Sequence, residues 1–318
     1  MDIFEIVKNN DLKGLKENLK YVYINIKDEF SKSLLHYTVI NNNVEMLHYL
    51  LINHIDVDIT QDDLTTSLML AVNYNSIGCF RALIKAKANI NLVNKKGETA
   101  LSIAVKLNRV EMINILLSLN ANIDFLTDTG ENICFMALNT NNLDMINNLL
   151  DKNKKLLYST NNNLDTLLHH STRLNNIEAT KLLINKGLLT NILNRDLETP
   201  LFNAARNNNL DMAKLLIDNL ALIEYKNRFD ESIFDLSNSR FRDYLKFRQD
   251  SIEYQSYIKK YTLNYSIILN DYDLFMHTIN RVEVQKKDNY NHDAMYYASI
   301  YKRDKFIKEL NKYIKSKK

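Results

Sequence analysis

Histidine and cysteine are the side chains through which this 318-residue chain could most readily do chemistry at neutral pH. The histidines are His36, His48, His54, His169, His170, His277 and His292, and the cysteines are Cys79 and Cys134. A zinc site needs three or four converging ligands, commonly including a pair four residues apart on one helix face. No two histidines have that spacing, and the neighbours His169 and His170 would point to different faces of a helix. A nucleophilic thiol needs a base beside it, and the spacing suggests none for either cysteine. The chain has no G-x-S-x-G, P-loop, G-x-G-x-x-G or H-E-x-x-H motif. These residues predict no catalytic group, no metal site and no cofactor, so the expectation is a protein that is not an enzyme.

Carboxylates are plentiful, but they recur with their surroundings: Val44-Glu45-Met46, Val110-Glu111-Met112, Leu210-Asp211-Met212. Acids at helix starts favour the helix dipole, and a carboxylate that repeats belongs to the fold. The repetition is general. Ser33-Leu34-Leu35-His36-Tyr37-Thr38 returns as Thr66-Ser67-Leu68-Met69-Leu70-Ala71, Thr99-Ala100-Leu101-Ser102-Ile103-Ala104 and Asn132-Ile133-Cys134-Phe135-Met136-Ala137. It returns again as Thr166-Leu167-Leu168-His169-His170-Ser171, Thr199-Pro200-Leu201-Phe202-Asn203-Ala204 and Ser232-Ile233-Phe234-Asp235-Leu236-Ser237. The steps are 33, 33, 33, 34, 33 and 33 residues. Asparagine stands in the same phase at 10, 42, 75, 108, 141, 175, 208 and 270. Asn tolerates the left-handed conformation and so suits a tight turn between helices. After each Asn runs an apolar stripe at i, i+3, i+6, i+7, as in Val44-Leu47-Leu50-Leu51 and Val110-Ile113-Leu116-Leu117, which gives a second helix one buried face. The unit is helix, Asn turn, helix and extended connector, and one such pair must stack on the next to bury its apolar face.

This unit resembles the ankyrin repeat, whose signature is T-P-L-H-x-A at a period of 33. Thr199-Pro200-Leu201 keeps the Thr and Pro; Leu35-His36 and Leu168-His169 keep the Leu-His. The resemblance implies an all-α solenoid of stacked helix-turn-helix units with short extended or hairpin connectors. It also implies that His36 and His169 hydrogen-bond backbone between repeats. Pro occurs once, and connector glycine stands clearly only at Gly97 and Gly130, so irregular hairpins are expected. About ten units can be counted. Residues 1–32 form a capping repeat, 33–231 the regular repeats, and 232–318 a divergent end. There the stripe expected at Asp243, Lys246 and Gln249 fails, and a ninth unit begins 29 residues after Ser232.

Ankyrin arrays bind proteins through the concave groove of hairpin tips and exposed first-helix ends. Carried onto this sequence, that surface gives as partner-binding candidates Tyr74, Lys95, Lys96, Lys106, Asn139, Arg173, Arg195, Arg206, Arg228 and Phe229. The expected function is a protein-binding scaffold, an adaptor or an inhibitor, acting as a monomer without a small-molecule substrate. The net charge of +3 makes no case for nucleic acid overall. Residues 240–318, however, hold 17 Lys+Arg against 10 Asp+Glu and 11 of the 18 tyrosines. Nucleic-acid or acidic-surface binding by that end is the alternative. No apolar run is long enough to span a bilayer, and the start, Met1-Asp2-Ile3-Phe4-Glu5, is unlike a secretory signal. Two cysteines make no disulfide framework. A cytoplasmic protein is expected. The Asn-, Ile- and Lys-rich composition suits an AT-rich genome, so a bacterial or viral effector reaching a host by a signal-independent route is a further reading.

Overall fold

The computed structural model describes residues 2–269, 272–279, 284–287, 292–300 and 302–317. They form two compact units, one ending at Leu156 and one starting at Leu157. In the first, α1 (Ile3–Lys8) pairs with α2 (Leu12–Asn18), α3 (Leu34–Ile40) with α4 (Val44–Ile52), α5 (Ser67–Asn73) with α6 (Ile77–Lys85), α7 (Ala100–Lys106) with α8 (Val110–Ser118), and α9 (Ile133–Leu138) with α10 (Leu143–Lys152). In the second, α11 (Leu167–Arg173) pairs with α12 (Ile177–Asn185) and α13 (Pro200–Arg206) with α14 (Leu210–Asp218). Then follow α15 (Ser239–Gln249), α16 (Ile252–Lys260), α17 (Thr262–Leu269), α18 (Tyr272–Thr278), α19 (Ala294–Ile300) and α20 (Asp304–Ser316).

Most regular repeats are built the same way; Thr199 holds the capping place of α13 but makes no side-chain capping bond. Ser33, Thr66, Thr99, Asn132 and Thr166 cap the first helices by accepting a backbone N–H from the first turn. That satisfies donors which the helix itself leaves unpaired. Asn10, Asn42, Asn75, Asn108, Asn141, Asn175 and Asn208 all have positive φ, between 50° and 59°, as the turn reading requires. Asn270 lies outside the described residues. The stripe that follows is buried: Met46, Leu47 and Leu50 in α4, and Met212, Ala213, Leu216 and Ile217 in α14. Each fully buried Leu or Ile contributes about 1.5–3 kcal/mol of transfer free energy, so stripe against stripe is the main cohesion of the stack.

The turn asparagines have a second role. Asn10 Oδ1 accepts from Asn43 Nδ2 at 2.9 Å, Asn108 Oδ1 from Asn142 Nδ2 at 2.9 Å, and Asn175 Oδ1 from Asn209 Nδ2 at 3.2 Å. The turn of one repeat therefore bonds the cap of the next second helix. A parallel row runs through the connectors. Asn25 bonds the N–H of Asp56, Asp58 that of Asn89, Asn91 that of Asn122, and Asn191 that of Leu222.

Two irregularities of the period have structural causes. The single 34-residue step coincides with the boundary between the units. There α10 ends at Asn153 in extended backbone, and a 3-10 turn, Lys154–Tyr158, replaces the usual post-helix turn. The 29-residue step marks a lost helical turn. Ser232–Ser237 stays in phase but forms turns rather than a first helix. Asp235 accepts both the N–H and the hydroxyl of Ser232, and Asn238 already caps α15, four residues ahead of the phase of Asn209. The stripe sought at Asp243 and Lys246 is thus present four residues earlier than expected. Phe241 and Leu245, both buried, hold the places of Met212 and Leu216.

The end departs from a linear stack of ten units. After α15 no hairpin forms: Ser251–Lys260 lacks the Gly, Asn or Asp that a tight turn wants, and it becomes α16. Ile268, His292 and Tyr297, from the last two repeats, line the same small cavity as Gly187–Asn191 and Leu220. These repeats fold back onto the connectors of the array instead of continuing outward from it. Tyr225 donates its hydroxyl to the Ile268 carbonyl, and Tyr254 donates to Glu224 while accepting the N–H of Ile223. Their core is the ring cluster Tyr272, Phe275 and Phe306.

Candidate functional site

The hairpins carry the first half of the expected surface. Antiparallel bridges join Lys27 to Ser33, Thr60 to Thr66, Leu126 to Asn132, Thr160 to Thr166 and Lys226 to Ser232. At each tip a polar side chain receives backbone N–H groups: Asn94 those of Lys96 and Glu98, Asn161 those of Asn163 and Asp165, Asn194 those of Asp196 and Glu198. The next residue to turn must adopt positive φ. Gly97 and Gly130 do so, but so do Ser31, Leu64, Leu164, Leu197 and Asp230. The hairpins are therefore regular even where glycine is missing. Neighbouring tips are joined by backbone bonds, Lys95 N–H to the Asp63 carbonyl, Arg195 to Asn163 and Arg228 to Asp196.

In the first unit Lys95 and Lys96 are exposed at a tip. Tyr74 and Asn139 cap α5 and α9 at their C-terminal ends, and Tyr74 is more than half exposed. Lys106 ends α7 and reaches Glu98 at 3.3 Å. In the second unit Arg195, Arg228 and Phe229 are exposed at tips. Arg228 pairs with Asp196 at 3.1 Å and lies 5.4 Å from the Phe229 ring centre.

Arg173 and Arg206 sit at first-helix ends, as expected, but their charges are committed within the fold. Arg173 donates to buried Asp165 at 3.1 Å and to His170 Nδ1 at 2.7 Å. Arg206 holds buried Glu198 through both guanidinium nitrogens, and this raises its pKa. Asn194 and Asn227, from the next hairpins, bond the same two acids. These arginines fix the hairpin to its helix and are not free to seek a partner.

Residues beyond the ten candidates join the surface. Leu64, Leu164 and Leu197 at the tips, and Leu107 and Leu174 at first-helix ends, are large apolar side chains in water. The clue was available at the tips, since each of those leucines stands in the phase of Gly97 and Gly130.

The histidines of the Leu-His positions are buried. His169 Nδ1 accepts the Thr166 N–H at 3.2 Å and Nε2 faces the Glu198 carbonyl at 2.9 Å, a bond into the next repeat that fixes the neutral tautomer. His36 Nδ1 accepts the Ser33 N–H at 2.9 Å. Its Nε2 closes no bond of ordinary length, although the backbone of Ile59 and Thr65 is near enough to favour its charged form. Burial dominates all the same and pushes His36 and His170 down to about 4, and His169 down as well. Cys79 and Cys134 are buried free thiols, pushed up by burial to about 11 and about 12. Among the described residues no three His, Cys, Asp or Glu side chains converge as a metal would require. Among them, too, no helix is long and apolar enough to cross a membrane.

The basic surplus of the end is concentrated. Residues 302–318 hold eight Lys+Arg and two Asp+Glu. Lys305, Lys308, Lys312 and Lys315 are exposed at three- and four-residue spacing, so they share one face of α20.

Helix pairs joined by αL turns, stacked through apolar stripes and carrying hairpin tips, define a helical repeat protein of the solenoid class. A family model described as ankyrin repeats matches three times, over residues 3–94, 68–159 and 133–227, which together exceed half of the chain. The chain belongs to the ankyrin-repeat family. The human ASB11 ankyrin repeat domain has a similar fold, at 23% identity and a TM-score of 0.61, over 69% of this chain and 99% of that one. No curated protein matches the chain.

Proposed function

We propose that this protein is a non-enzymatic scaffold, an adaptor or an inhibitor, that binds a protein partner through its hairpin tips and first-helix ends. The observation that carries the reading is the leucine at the tips. Leu164 and Leu197 are 47% and 48% exposed and hold left-handed backbone. An L-residue there costs about 1 kcal/mol that glycine would avoid, and burial within the fold does not offset it. Apolar tips with Arg195, Arg228 and Phe229 beside them have the aromatic and arginine content of protein interfaces. In the first unit Tyr74 and Leu107 supply the same chemistry. Ankyrin repeats in general bind proteins, which supports the class of partner and leaves its identity to experiment.

The test is capture of the partner from the source cell, followed by affinity measurement on variants. Leu164→Asp with Leu197→Asp, or Arg195→Glu with Phe229→Ala, is expected to weaken binding at least tenfold with an unchanged melting temperature. Unchanged affinity moves the site elsewhere. Arg173→Glu and Arg206→Glu are poor probes, because each removes the partner of a buried acid.

A second reading, polyanion binding, is favoured by one observation: Lys308, Lys312 and Lys315 on α20 have no ion-pair partner among the described residues, whereas Arg81, Arg173, Arg206, Arg228 and Arg248 are all paired. It requires affinity for duplex nucleic acid that falls steeply with salt. Absence of binding at low salt removes it. We place either action in the cytoplasm, of the source cell or of a host.

A further inference from the structure

The return of the last repeats onto the array leaves a cleft of about 510 Å³ that a linear ankyrin stack would not have. Leu188, Leu189 and Ile192 line it from the array, Ile300 from the end of α19, with Tyr158 and Tyr296 beside them. Lys302, exposed, is also among its lining residues. Its volume falls within the range of sites that bury a small organic molecule.

Three observations mark the cleft as more than a packing fault. Tyr158 breaks the connector row at this place: the corresponding residues are Asn25, Asp58, Asn91, Asp124, Asn191 and Glu224. The fold thus gives up an inter-repeat bond here and presents a phenol to the cleft. Its hydroxyl stands 3.9 Å from where a Cβ on Gly187 would lie, an ordinary contact, but Gly187 has φ +97°, so the backbone disfavours a larger residue at 187. Tyr296 is held in place by stacking on His292, with ring centres 3.6 Å apart. Lys302 occupies the left-handed turn between α19 and α20, the position asparagine fills in the array.

The charge balance then selects the ligand. No carboxylate is among the described lining residues, and Lys302 has no ion pair among the described residues. An apolar cleft with phenolic hydroxyls and one uncompensated ammonium favours an anion with an apolar body. We propose that this cleft binds a small amphipathic monoanion, a carboxylate or sulfonate carried on an alkyl or aromatic group. The ligand touches both the array connectors and the last repeats, so it fastens the end of the chain to the array.

The full-length protein is titrated with the fluorescent sulfonate 8-anilinonaphthalene-1-sulfonate, and bound probe is displaced with decanoate, decanol and decylamine. Saturable one-to-one binding is expected, with decanoate displacing at least tenfold better than decylamine. Lys302→Met is expected to weaken decanoate at least tenfold and decanol less than threefold. Ile192→Trp fills the cleft and abolishes binding of all three. Ile300→Trp serves the same purpose if Ile192→Trp does not fold, with circular dichroism as the check. Non-saturating fluorescence, equal displacement by amine and acid, or affinity unchanged in Lys302→Met and in a filled variant overturns the proposal.

Discussion

The regular repeats and the last three differ in what holds neighbour to neighbour. Within the regular repeats several neighbours are keyed to one another by side-chain amides at fixed positions, Asn10 to Asn43, Asn108 to Asn142 and Asn175 to Asn209, in addition to apolar stripes. From α15 onward the amide keys give way to tyrosine hydroxyls, as in Tyr225 to Ile268 and Tyr254 to Glu224, and to the Tyr272–Phe275–Phe306 cluster. An amide at a fixed turn repeats the geometry each time. A phenol on a long side chain accepts whatever backbone lies within reach, and that freedom lets the end turn back.

The contrast is most directly broken by removing a ring from each region. Phe202→Ala and Phe275→Ala both delete a fully buried side chain and are each expected to cost about 3–5 kcal/mol. The first is expected to lower the whole array transition, because neighbours share each interface. The second is expected to release the end first, giving two steps in urea followed by tyrosine fluorescence and circular dichroism together. A single transition for Phe275→Ala would show that the end and the array unfold as one.

Acid is the next largest effect, and it acts on the array. Folded His36 titrates at about 4 because burial opposes its charge, whereas an unfolded histidine titrates near 6.5. The unfolded chain therefore binds the proton first. Stability is whole above about pH 6.5, falls as pH drops, and levels off below about 4, a loss of roughly 3 kcal/mol from this residue. His169 and His170 shift in the same direction and add to the slope. Urea midpoints measured from pH 7.5 to 4.5 check this, and His36→Gln is expected to flatten the dependence.

Smaller still is the key itself. Asn175→Ala removes both the acceptor of Asn207 and Asn209 and the tolerance for φ 57°, an expected loss of about 1–2 kcal/mol. Asn175→Gly keeps the backbone and is expected to lose about half as much. Equal losses would mean that the inter-repeat bond contributes nothing. The smallest effect has the opposite sign. Leu197→Gly relieves a left-handed leucine and is expected to gain up to about 1 kcal/mol while weakening partner binding, as read by melting temperature and affinity together.

Much of this was open to sequence reading because it is periodic. The turn asparagines at 10, 42, 75, 108, 141, 175 and 208 announce left-handed backbone, and the 34- and 29-residue steps fall where a turn is recast and where a helical turn is lost. What stayed hidden is what periodicity does not encode. Nothing in the spacing tells that Arg173 and Arg206 reach back eight residues to Asp165 and Glu198, since that pairing depends on the hairpin bending over the helix end. Leu64, Leu164 and Leu197 keep the glycine phase without the glycine, so their phase alone hints at the left-handed turn that the backbone shows. The return of the end follows from a missing hairpin, and an absent turn signal does not say where the chain goes instead.

One consequence of the asparagine turns concerns how such a chain can grow. A carboxamide offers a plug and a socket in one group, its nitrogen donating and its oxygen accepting. Any repeat ending in this turn can therefore accept any other repeat capped by asparagine, whatever lies between. A carboxylate or an ammonium in that place would need a complementary mate and would forbid self-succession. Copies of the asparagine-capped repeats inserted or removed by unequal recombination would leave those junctions chemically identical, so the length of the array is free to drift while such seams stay intact.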